Sequence, residues 1–126
     1  MKIRIETPNA PKALGPYSQG VVAYDGMIFT SGQIPLTPQG VLLKGPIAEQ
    51  CRQIMRNLDA VLRAAGASFK DVIKATIYVT DMSDYGKIND VYGSYFSEPF
   101  PARETVCVKE LPLGAKLEIS MVAVKP

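Results

Sequence analysis

Residues 46–66, PIAEQCRQIMRNLDAVLRAAG, have the apolar spacing of one long amphipathic helix. Pro46 suits the first helical position and Gly66 suits the residue just past the end, so we expect the helix to run from about Pro46 to Ala65. Apolar side chains recur at steps of three and four and predict one buried stripe, which contains Ile47, Cys51, Ile54, Leu58, Val61, Leu62 and Ala65. A stripe of this kind needs a second layer to cover it.

Short strands and a second helix surround this helix in the sequence. The dipeptide Asp25-Gly26 separates two β-rich runs and predicts a hairpin with a two-residue type I′ turn. One helical turn is predicted over Ser68–Asp71, and a second helix is predicted to follow Ser83 and reach about Phe96. The other predicted strands are Lys2–Glu6, Val72–Val79, Arg103–Glu110 and Lys116–Val124.

The order of these elements is three strands, a helix, a strand, a helix and two strands. Chains built in this order carry both helices on one face of the sheet. The sequence therefore predicts an α+β fold, a two-layer sandwich of a mixed sheet and two helices. With 126 residues the chain is expected to form a single domain, residues 1–126.

The chain contains no His and only two Cys. Within one chain these counts exclude a Ser-His-Asp triad, a Cys-His catalytic pair, a His-ligated zinc site and a Cys₄ zinc site. No metal and no cofactor is predicted. Cys51 and Cys107 are expected to be free thiols, because a cytoplasmic protein keeps its thiols reduced.

The charge balance and the absence of apolar runs bound the partners and the location. Fourteen Lys and Arg against 12 Asp and Glu give a net charge of +2, which gives little drive for binding a phosphate backbone. No apolar run approaches the ~20 residues of a membrane span, and the N-terminal residues lack the apolar core of a signal peptide. We expect a cytoplasmic protein with neither a membrane nor a nucleic acid as partner.

The last two predicted strands alternate apolar and polar residues. The apolar set of the final strand is Leu117, Ile119, Met121 and Ala123. Glu118 therefore faces away from the helices, and in the strand before it Arg103 and Thr105 oppose Val106 and Val108. If the two strands pair, one polar face results, made of Arg103, Thr105, Cys107, Glu118 and Ser120. No helix covers that face, so it is expected to be solvated or packed on another subunit.

Two interpretations of Arg103 and Glu118 are open at this point. Either both are ordinary solvated charges, or Arg103 clamps a carboxylate with its planar guanidinium while Glu118 orients a water or moves a proton. With Cys107 opposite Glu118, Arg103 lies four residues along, roughly 13 Å at about 3.3 Å per residue. One small ligand then touches both only if the register differs or if one residue comes from a neighbouring chain.

Four other residues are candidates for a binding site, each with a structural alternative. Tyr17 lies in a turn, residues 15–19, that leads into a strand. Ser31 and Gly32 follow a predicted strand and either end it or let a ligand approach the backbone. Asn89 lies off the apolar stripe of the second helix, where a solvated side chain is the alternative.

Five segments of the chain resemble the RidA family, also called YjgF/YER057c/UK114. In family order and spacing they are APKALGPYSQ at 10–19, SGQIP at 31–35, NDVY at 89–92, PAR at 101–103, and Leu111-Pro112 followed by Leu117-Glu118-Ile119. The resemblance implies a chorismate-mutase-like fold and a homotrimer that packs its sheets into a central barrel, with ligand sites between subunits. It also implies hydrolysis of 2-iminobutanoate and 2-iminopropanoate, or their enamine tautomers, to 2-oxo acids and ammonia.

The resemblance also implies roles for individual residues. Arg103 matches the Arg of the family that binds the substrate carboxylate, and Glu118 matches the Glu near the catalytic water. The residues that line or cap the pocket are, by the same resemblance, Tyr17, Ser31, Gly32 and Asn89. Backbone groups near Gly32 and Thr105 are then expected to hold the imine nitrogen. Such a site works by positioning and electrostatics and needs no His.

The chain departs from the family pattern after Arg103. Thr105 stands where many members have Cys, and Glu104 stands where a small residue is usual. The Cys of this chain, Cys107, lies two residues further on and has no His to activate it. By strand parity Glu104 points to the sheet face opposite Arg103.

Two other functions stay open at this stage. One is an endoribonuclease or translation inhibitor, an activity of some family members, against which the small net charge and the absence of His argue. The other is a non-enzymatic trimer that binds small molecules or acts as a chaperone. Arg103 argues against this last class, because family branches thought not to deaminate lack that Arg.

Overall fold

Six strands and two helices form the fold in the computed structural model, which describes residues 1–126. Their bounds are β1 Lys2–Ile5, β2 Gly20–Ala23, β3 Met27–Thr30, α1 Ile47–Ala64, β4 Val72–Val79, α2 Tyr85–Gly93, β5 Ala102–Cys107 and β6 Leu117–Val124. Single 3₁₀ turns lie at Phe69–Asp71, Met82–Asp84 and Pro112–Gly114. The predicted order of strands and helices is confirmed.

The six strands form one mixed sheet in the order β1-β2-β3-β6-β4-β5. All neighbours are antiparallel except β4 and β5, which are parallel because α2 connects them as a crossover. Both helices contribute to one core of 23 buried residues on a single face of this sheet. The predicted α+β architecture, with a mixed sheet and two helices on one face, is confirmed.

The predicted pairing of the last two strands is wrong. β4 lies between β5 and β6 and is hydrogen-bonded to both. The amide of Val108 donates to the carbonyl of Val79, and the amide of Thr80 donates to the carbonyl of Lys116, so the connecting segment flanks the end of β4 on both sides. Alternation within a strand reports which residues share a face, but it does not report which strand is the neighbour.

α1 has both the buried apolar stripe and the C-terminal glycine that the sequence predicts. All seven stripe residues are buried, each at most 9% exposed. Gly66 has a φ of +81°, and the amides of Gly66 and Ala67 donate to the carbonyls of Arg63 and Leu62. This pair of bonds is a Schellman motif, which ends the helix where the sequence predicts. Pro46, expected at the first helical position, is instead the N-cap residue, and the helix begins one residue later at Ile47.

Buried polar side chains of α1 anchor the loop between β3 and α1. Asn57 is fully buried, and its Nδ2 donates to the carbonyl of Leu36 at 2.8 Å. Its Oδ1 accepts from Nε2 of Gln53 at 2.9 Å. Gln50 donates through Nε2 to the carbonyl of Gly45, also at 2.8 Å. The apolar stripe did not predict these anchors, because it counts only apolar positions.

The hairpin of β2 and β3 is confirmed, but its turn is not of type I′. That turn requires positive φ at both central residues, whereas here Gly26 has a φ of +92° and Asp25 has no positive φ. β2 ends at Ala23 and β3 begins at Met27, which leaves a loop of three residues with Gly26 at its left-handed position.

One strand is irregular and one boundary differs from the prediction. A register shift in β4 between Val72 and Lys74 places Val72 in the core and leaves Ile73 46% exposed. The second helix ends at Gly93 rather than near Phe96.

The opposite face of the sheet carries no helix. Phe29 is 45% exposed there, and Val106 and Val124 are each 40% exposed. The strand registers place Glu104 and Glu118 on this same face. A face that mixes exposed apolar and charged side chains agrees with the half-polar, uncovered face that the alternation of β6 predicts.

Candidate active site

A cavity of about 450 Å³ opens beside the end of β3 and the start of β6. Four of the sequence-predicted site residues line it, namely Tyr17, Ser31, Gly32 and Glu118. Apolar walls are formed by Leu14, Ile34, Leu36, Pro112 and Leu113, and Lys12 is the one cation. The structure thus brings a carboxylate and a largely apolar pocket together.

Gly32 makes room for the Glu118 carboxylate. Gln33 and Ile119 exchange two backbone hydrogen bonds, of 2.8 and 3.0 Å, which hold the segment after β3 across the start of β6. A Cβ at position 32 would lie only 2.7 Å from Cδ of Glu118. The carboxylate therefore rests against the backbone at a place that only glycine leaves open.

Ser31 and Tyr17 fix the loop that forms the rim of the cavity. Oγ of Ser31 donates to the carbonyl of Ser18 at 2.6 Å. The hydroxyl of Tyr17 accepts from the amide of Leu14 at 3.1 Å, and its side chain remains half exposed. Both residues lie at the cavity because the loop turns back over the end of β3, not because they end a strand.

Gln19 anchors the same loop, and sequence reasoning missed it. Its side chain is buried, and its Oε1 accepts from the amide of Thr7 at 2.8 Å. Its Nε2 donates to the carbonyls of Thr7 and Pro11 at 3.0 and 2.8 Å. The sequence holds no clear signal for it, because Gly20 and Val22 face the core and strand alternation therefore predicts the opposite face for position 19.

The Glu118 carboxylate has no charged partner in the chain. None of the four ion pairs includes it. Burial raises its pKa above the ordinary value of 4.5, because the ionised form loses solvation. A carboxylate whose pKa is moved toward neutrality is better suited to take and return a proton.

Arg103 lies on the other side of the sheet, next to α2. Its Nη2 donates to the hydroxyl of Tyr85 at 2.8 Å. Its Cζ lies 5.6 Å from the ring centroid of Tyr85 and 5.0 Å from that of Tyr92. Tyr92 is buried in the core, whereas Tyr85 is 38% exposed.

The prediction that Arg103, Thr105 and Glu118 share a sheet face is wrong. In the parallel register Arg103 pairs with Ala75 and Thr105 with Ile77, both of which face the helices. Glu118 pairs with Tyr78 on the uncovered face. The error follows from the assumed β5–β6 pairing, since inserting β4 changes which residues of β5 lie level with β6.

The predicted site residues therefore form two separate groups. The cavity group contains Tyr17, Ser31, Gly32 and Glu118. The edge group contains Arg103, Thr105 and Asn89, whose position on α2 shares a face with Tyr85 and Tyr92. Arg103 and Glu118 are three residues apart along β4, roughly 10 Å, two strand spacings apart and on opposite faces. No single small ligand bound to one chain contacts both.

Glu104 does not neutralise Arg103. It lies on the uncovered face, where its carboxylate accepts from Oγ1 of Thr76 at 2.9 Å and pairs with Nζ of Lys74 at 3.2 Å. The hydrogen bond from Thr76 has the largest effect in lowering the pKa of Glu104, and the nearby Lys74 lowers it further. The predicted orientation of Glu104, opposite to Arg103, is confirmed.

The cysteines and the acidic residues show no further catalytic cluster. Cys51 and Cys107 are free, as predicted, and burial raises the pKa of Cys51 to about 12. No three His, Cys, Asp or Glu side chains are grouped to hold a metal ion. Neither helix combines the length and the apolar character that crossing a membrane requires.

Comparison with known proteins decides the family. A family model described as endoribonuclease L-PSP matches residues 7–125. The chain belongs to the RidA family. It is 48% identical over 126 residues to a RutC family protein of Pyrococcus horikoshii, with 99% of each chain covered. It is 43% identical to the 2-iminobutanoate/2-iminopropanoate deaminase of Bos taurus, with 96% of this chain and 88% of that protein covered.

A solved structure of the RidA family has the same fold. The crystal structure of Escherichia coli TdcF with bound serine matches with a TM-score of 0.91 and 44% identity, covering 98% of this chain and 99% of that chain. The resemblance found in the sequence is therefore confirmed at the level of family and fold. One relative in the family is named as an imine deaminase, whereas the family model is described as an endoribonuclease.

Proposed function

We propose that the protein hydrolyses 2-imino acids, such as 2-iminobutanoate and 2-iminopropanoate, to 2-oxo acids and ammonia. The observation that carries the proposal is the Glu118 carboxylate, which lies unpaired against Gly32 in the cavity with a raised pKa. The activity named for the Bos taurus relative agrees with it. The unneutralised guanidinium of Arg103 supplies the second element, a partner for the substrate carboxylate.

The reaction needs one water and two proton transfers. Glu118 takes a proton from water as the water oxygen attacks the imine carbon, and the C=N bond becomes a C–N single bond. Glu118 returns this proton to the nitrogen, which gives the carbinolamine. Glu118 then transfers the hydroxyl proton of the carbinolamine to the nitrogen as the C–N bond breaks, so that the 2-oxo acid and ammonia are released. Backbone groups near Gly32 and Thr105 hold the imine nitrogen in this scheme. Positioning of this kind suffices because an imine is already electrophilic.

The separation of Arg103 from Glu118 implies a site shared between subunits. In a cyclic trimer each interface is heterologous, so a different patch of one copy meets each patch of the next. Three copies would then form three sites, each with the cavity group of one subunit and the edge group of its neighbour. The exposed apolar side chains Phe29, Val106 and Val124 support burial of the uncovered face in such an assembly.

A substitution of Arg103 tests the proposal. In an assay that couples threonine dehydratase to imine decay, Arg103→Ala should lower kcat/KM on the order of 10²–10³-fold, because losing one partner of a buried charge pair costs about 2–5 kcal/mol. Arg63→Ala is the matched control, since it removes an exposed arginine paired with Asp59. Wild-type rates in folded Arg103→Ala protein would refute the carboxylate role.

Endoribonuclease activity is the second candidate because the family model carries that description. The chain has no His and a net charge of +2, so it offers neither the usual proton-transfer group nor a strong phosphate-binding surface. We expect no RNA cleavage by nuclease-free protein. Cleavage that is lost in Glu118→Gln would instead assign the cavity to RNA. Imine and RNA turnover both absent would favour a binding or chaperone function.

A further inference from the structure

The surroundings of Arg103 contain aromatic rings where a carboxylate would be expected. Tyr85 and Tyr92 present their rings at 5.6 and 5.0 Å from its Cζ, and the Tyr85 hydroxyl accepts from Nη2. Aromatic faces attract a guanidinium and fix its plane, but they carry no net charge. Arg103 is thus held in place with its full positive charge available.

The only acidic residue adjacent to Arg103 in sequence is directed away from it. Glu104 is bound to Thr76 and Lys74 on the opposite face of the sheet. A carboxylate in contact with Arg103 would have competed with an anionic ligand. The chain therefore has an arginine that is oriented by its neighbours but has no anionic partner.

The hydroxyl groups around Arg103 have hydrogens for which the chain provides no acceptor. The Tyr85 hydroxyl accepts a hydrogen bond from Arg103, so its own hydrogen is free to donate, and its side chain is 38% exposed. Tyr92 is 4% exposed, yet its hydroxyl has no partner, and Oγ1 of Thr105 on the same sheet face has none either. Buried hydroxyls without partners are rare and call for an explanation. A bound anion beside Arg103 supplies acceptor oxygens for such donors.

We propose that Tyr85 and Tyr92 complete a carboxylate site around Arg103. Tyr92 acts as a positioning residue whose ring holds the guanidinium plane. Tyr85 is a binding residue, which accepts one hydrogen from Arg103 and donates its hydroxyl hydrogen to a carboxylate oxygen of the ligand. The inference rests on the proposed function for the identity of the ligand, a small 2-imino or 2-oxo acid, and goes beyond it in assigning both tyrosines.

Steady-state kinetics separate these roles from a merely structural one. Tyr85→Phe keeps the ring and removes the hydroxyl, so KM should rise by about 10-fold or more, as expected for a lost hydrogen bond to a charged group, with a smaller change in kcat. Tyr92→Leu should raise KM, and Tyr92→Phe, which keeps the ring, should raise it less. KM does not depend on the fraction of protein that folds, so a loss of stability alone leaves it unchanged.

Binding of the product provides a readout without turnover. Calorimetric titration with 2-oxobutanoate should show weaker binding to Tyr85→Phe than to wild type, by a factor similar to the rise in KM. Tyr24→Phe is the control, since Tyr24 is 85% exposed in the β2–β3 turn. The inference would be overturned if Tyr85→Phe kept the wild-type KM and the wild-type affinity for 2-oxobutanoate while Arg103→Ala raised KM and weakened that affinity. This result would leave the proposed function intact. Wild-type protein that binds 2-oxobutanoate but hydrolyses no imine would overturn the proposed function alone.

Discussion

Glu118 is a carboxylate whose folded environment disfavours its charge. Burial raises its pKa above 4.5, and no cation of the chain compensates. A group with a raised pKa in the folded state stabilises the fold only while it is protonated. Its contribution is complete below the unfolded pKa and is lost as pH rises through the folded pKa. At neutral pH the burial of Glu118 therefore lowers the free energy of unfolding, a cost that its proposed role as a base explains.

Replacing Glu118 by a neutral isostere should show this cost directly. Glu118→Gln is expected to be more stable than wild type at pH 7 and equal to it below about pH 4, where both states of wild type are protonated. Urea unfolding at the two pH values measures the difference. The same variant should lose imine hydrolysis, and the wild-type rate should fall on acidification at a pH above the ordinary Glu range. A stability difference that is the same at both pH values would contradict the raised pKa.

A substitution at Gly32 tests whether the position of the Glu118 carboxylate matters, because it displaces the carboxylate without removing it. In Gly32→Ala the new Cβ would overlap the end of the Glu118 side chain, which is flexible and can turn away at little cost to the fold. We expect stability within about 1 kcal/mol of wild type, activity lowered as far as in Glu118→Gln, and a Glu118 pKa that returns toward 4.5. Gly45→Ala is the control, since nothing lies near its added Cβ. Full activity in Gly32→Ala would show that the carboxylate does not act from this place.

At the scale of elements, the sequence predicted the features that depend on residues close together in the chain. The ends of α1 follow from Pro46 and Gly66, and its stripe follows from 3.6-residue periodicity. The neighbour of β5 could not be predicted in this way, because strand pairing depends on a crossover through α2 and on tertiary packing. One wrong neighbour was enough to place Arg103 on the wrong face of the sheet.

The loop between β3 and α1 depends on one buried amide. Asn57→Ala leaves the carbonyl of Leu36 and the side chain of Gln53 without their partner. Each unsatisfied buried group costs about 1–3 kcal/mol, so we expect a loss of about 2 kcal/mol or more in the free energy of unfolding by urea. Because Ile34 and Leu36 line the cavity, the substrate KM should also rise. Asp59→Ala, which breaks an exposed ion pair, should change stability by less than about 1 kcal/mol. Equal urea midpoints for Asn57→Ala and wild type would rule out the anchor.

At the scale of the whole molecule, the proposed site is divided between two groups of residues that one chain keeps apart. The cavity group contains the proposed base, Glu118, and no cation other than Lys12, whereas the edge group contains the proposed carboxylate anchor, Arg103, and no base. The sequence predicted most members of both groups, since small and charged residues stand out at loop and strand positions. It could not predict their separation, which depends on sheet order and on the faces that the registers of β5 and β6 impose.

Mixing two inactive variants tests whether neighbouring chains share a site. In the proposed trimer, Arg103→Ala lacks the proposed carboxylate anchor and Glu118→Gln lacks the proposed base, so neither variant alone should turn over imine. In trimers reassembled at random from equal amounts of the two variants, a shared site is intact in only one arrangement. The subunit that supplies Arg103 must be the Glu118→Gln chain, and the neighbour that supplies Glu118 must be the Arg103→Ala chain. Random assembly produces that combination at about a quarter of the sites.

Activity after mixed refolding should therefore reach about a quarter of the wild-type value per chain, whereas each variant refolded alone stays inactive. Mixing without refolding is the control, because activity should appear there only as fast as subunits exchange. Refolding Arg103→Ala with Arg103→Gln should restore nothing, since no combination of those chains supplies the guanidinium. A site built within one chain gives no activity in any mixture, because every chain then lacks one of the two groups. Zero activity in mixed trimers of confirmed composition would thus move Arg103 and Glu118 out of a common site.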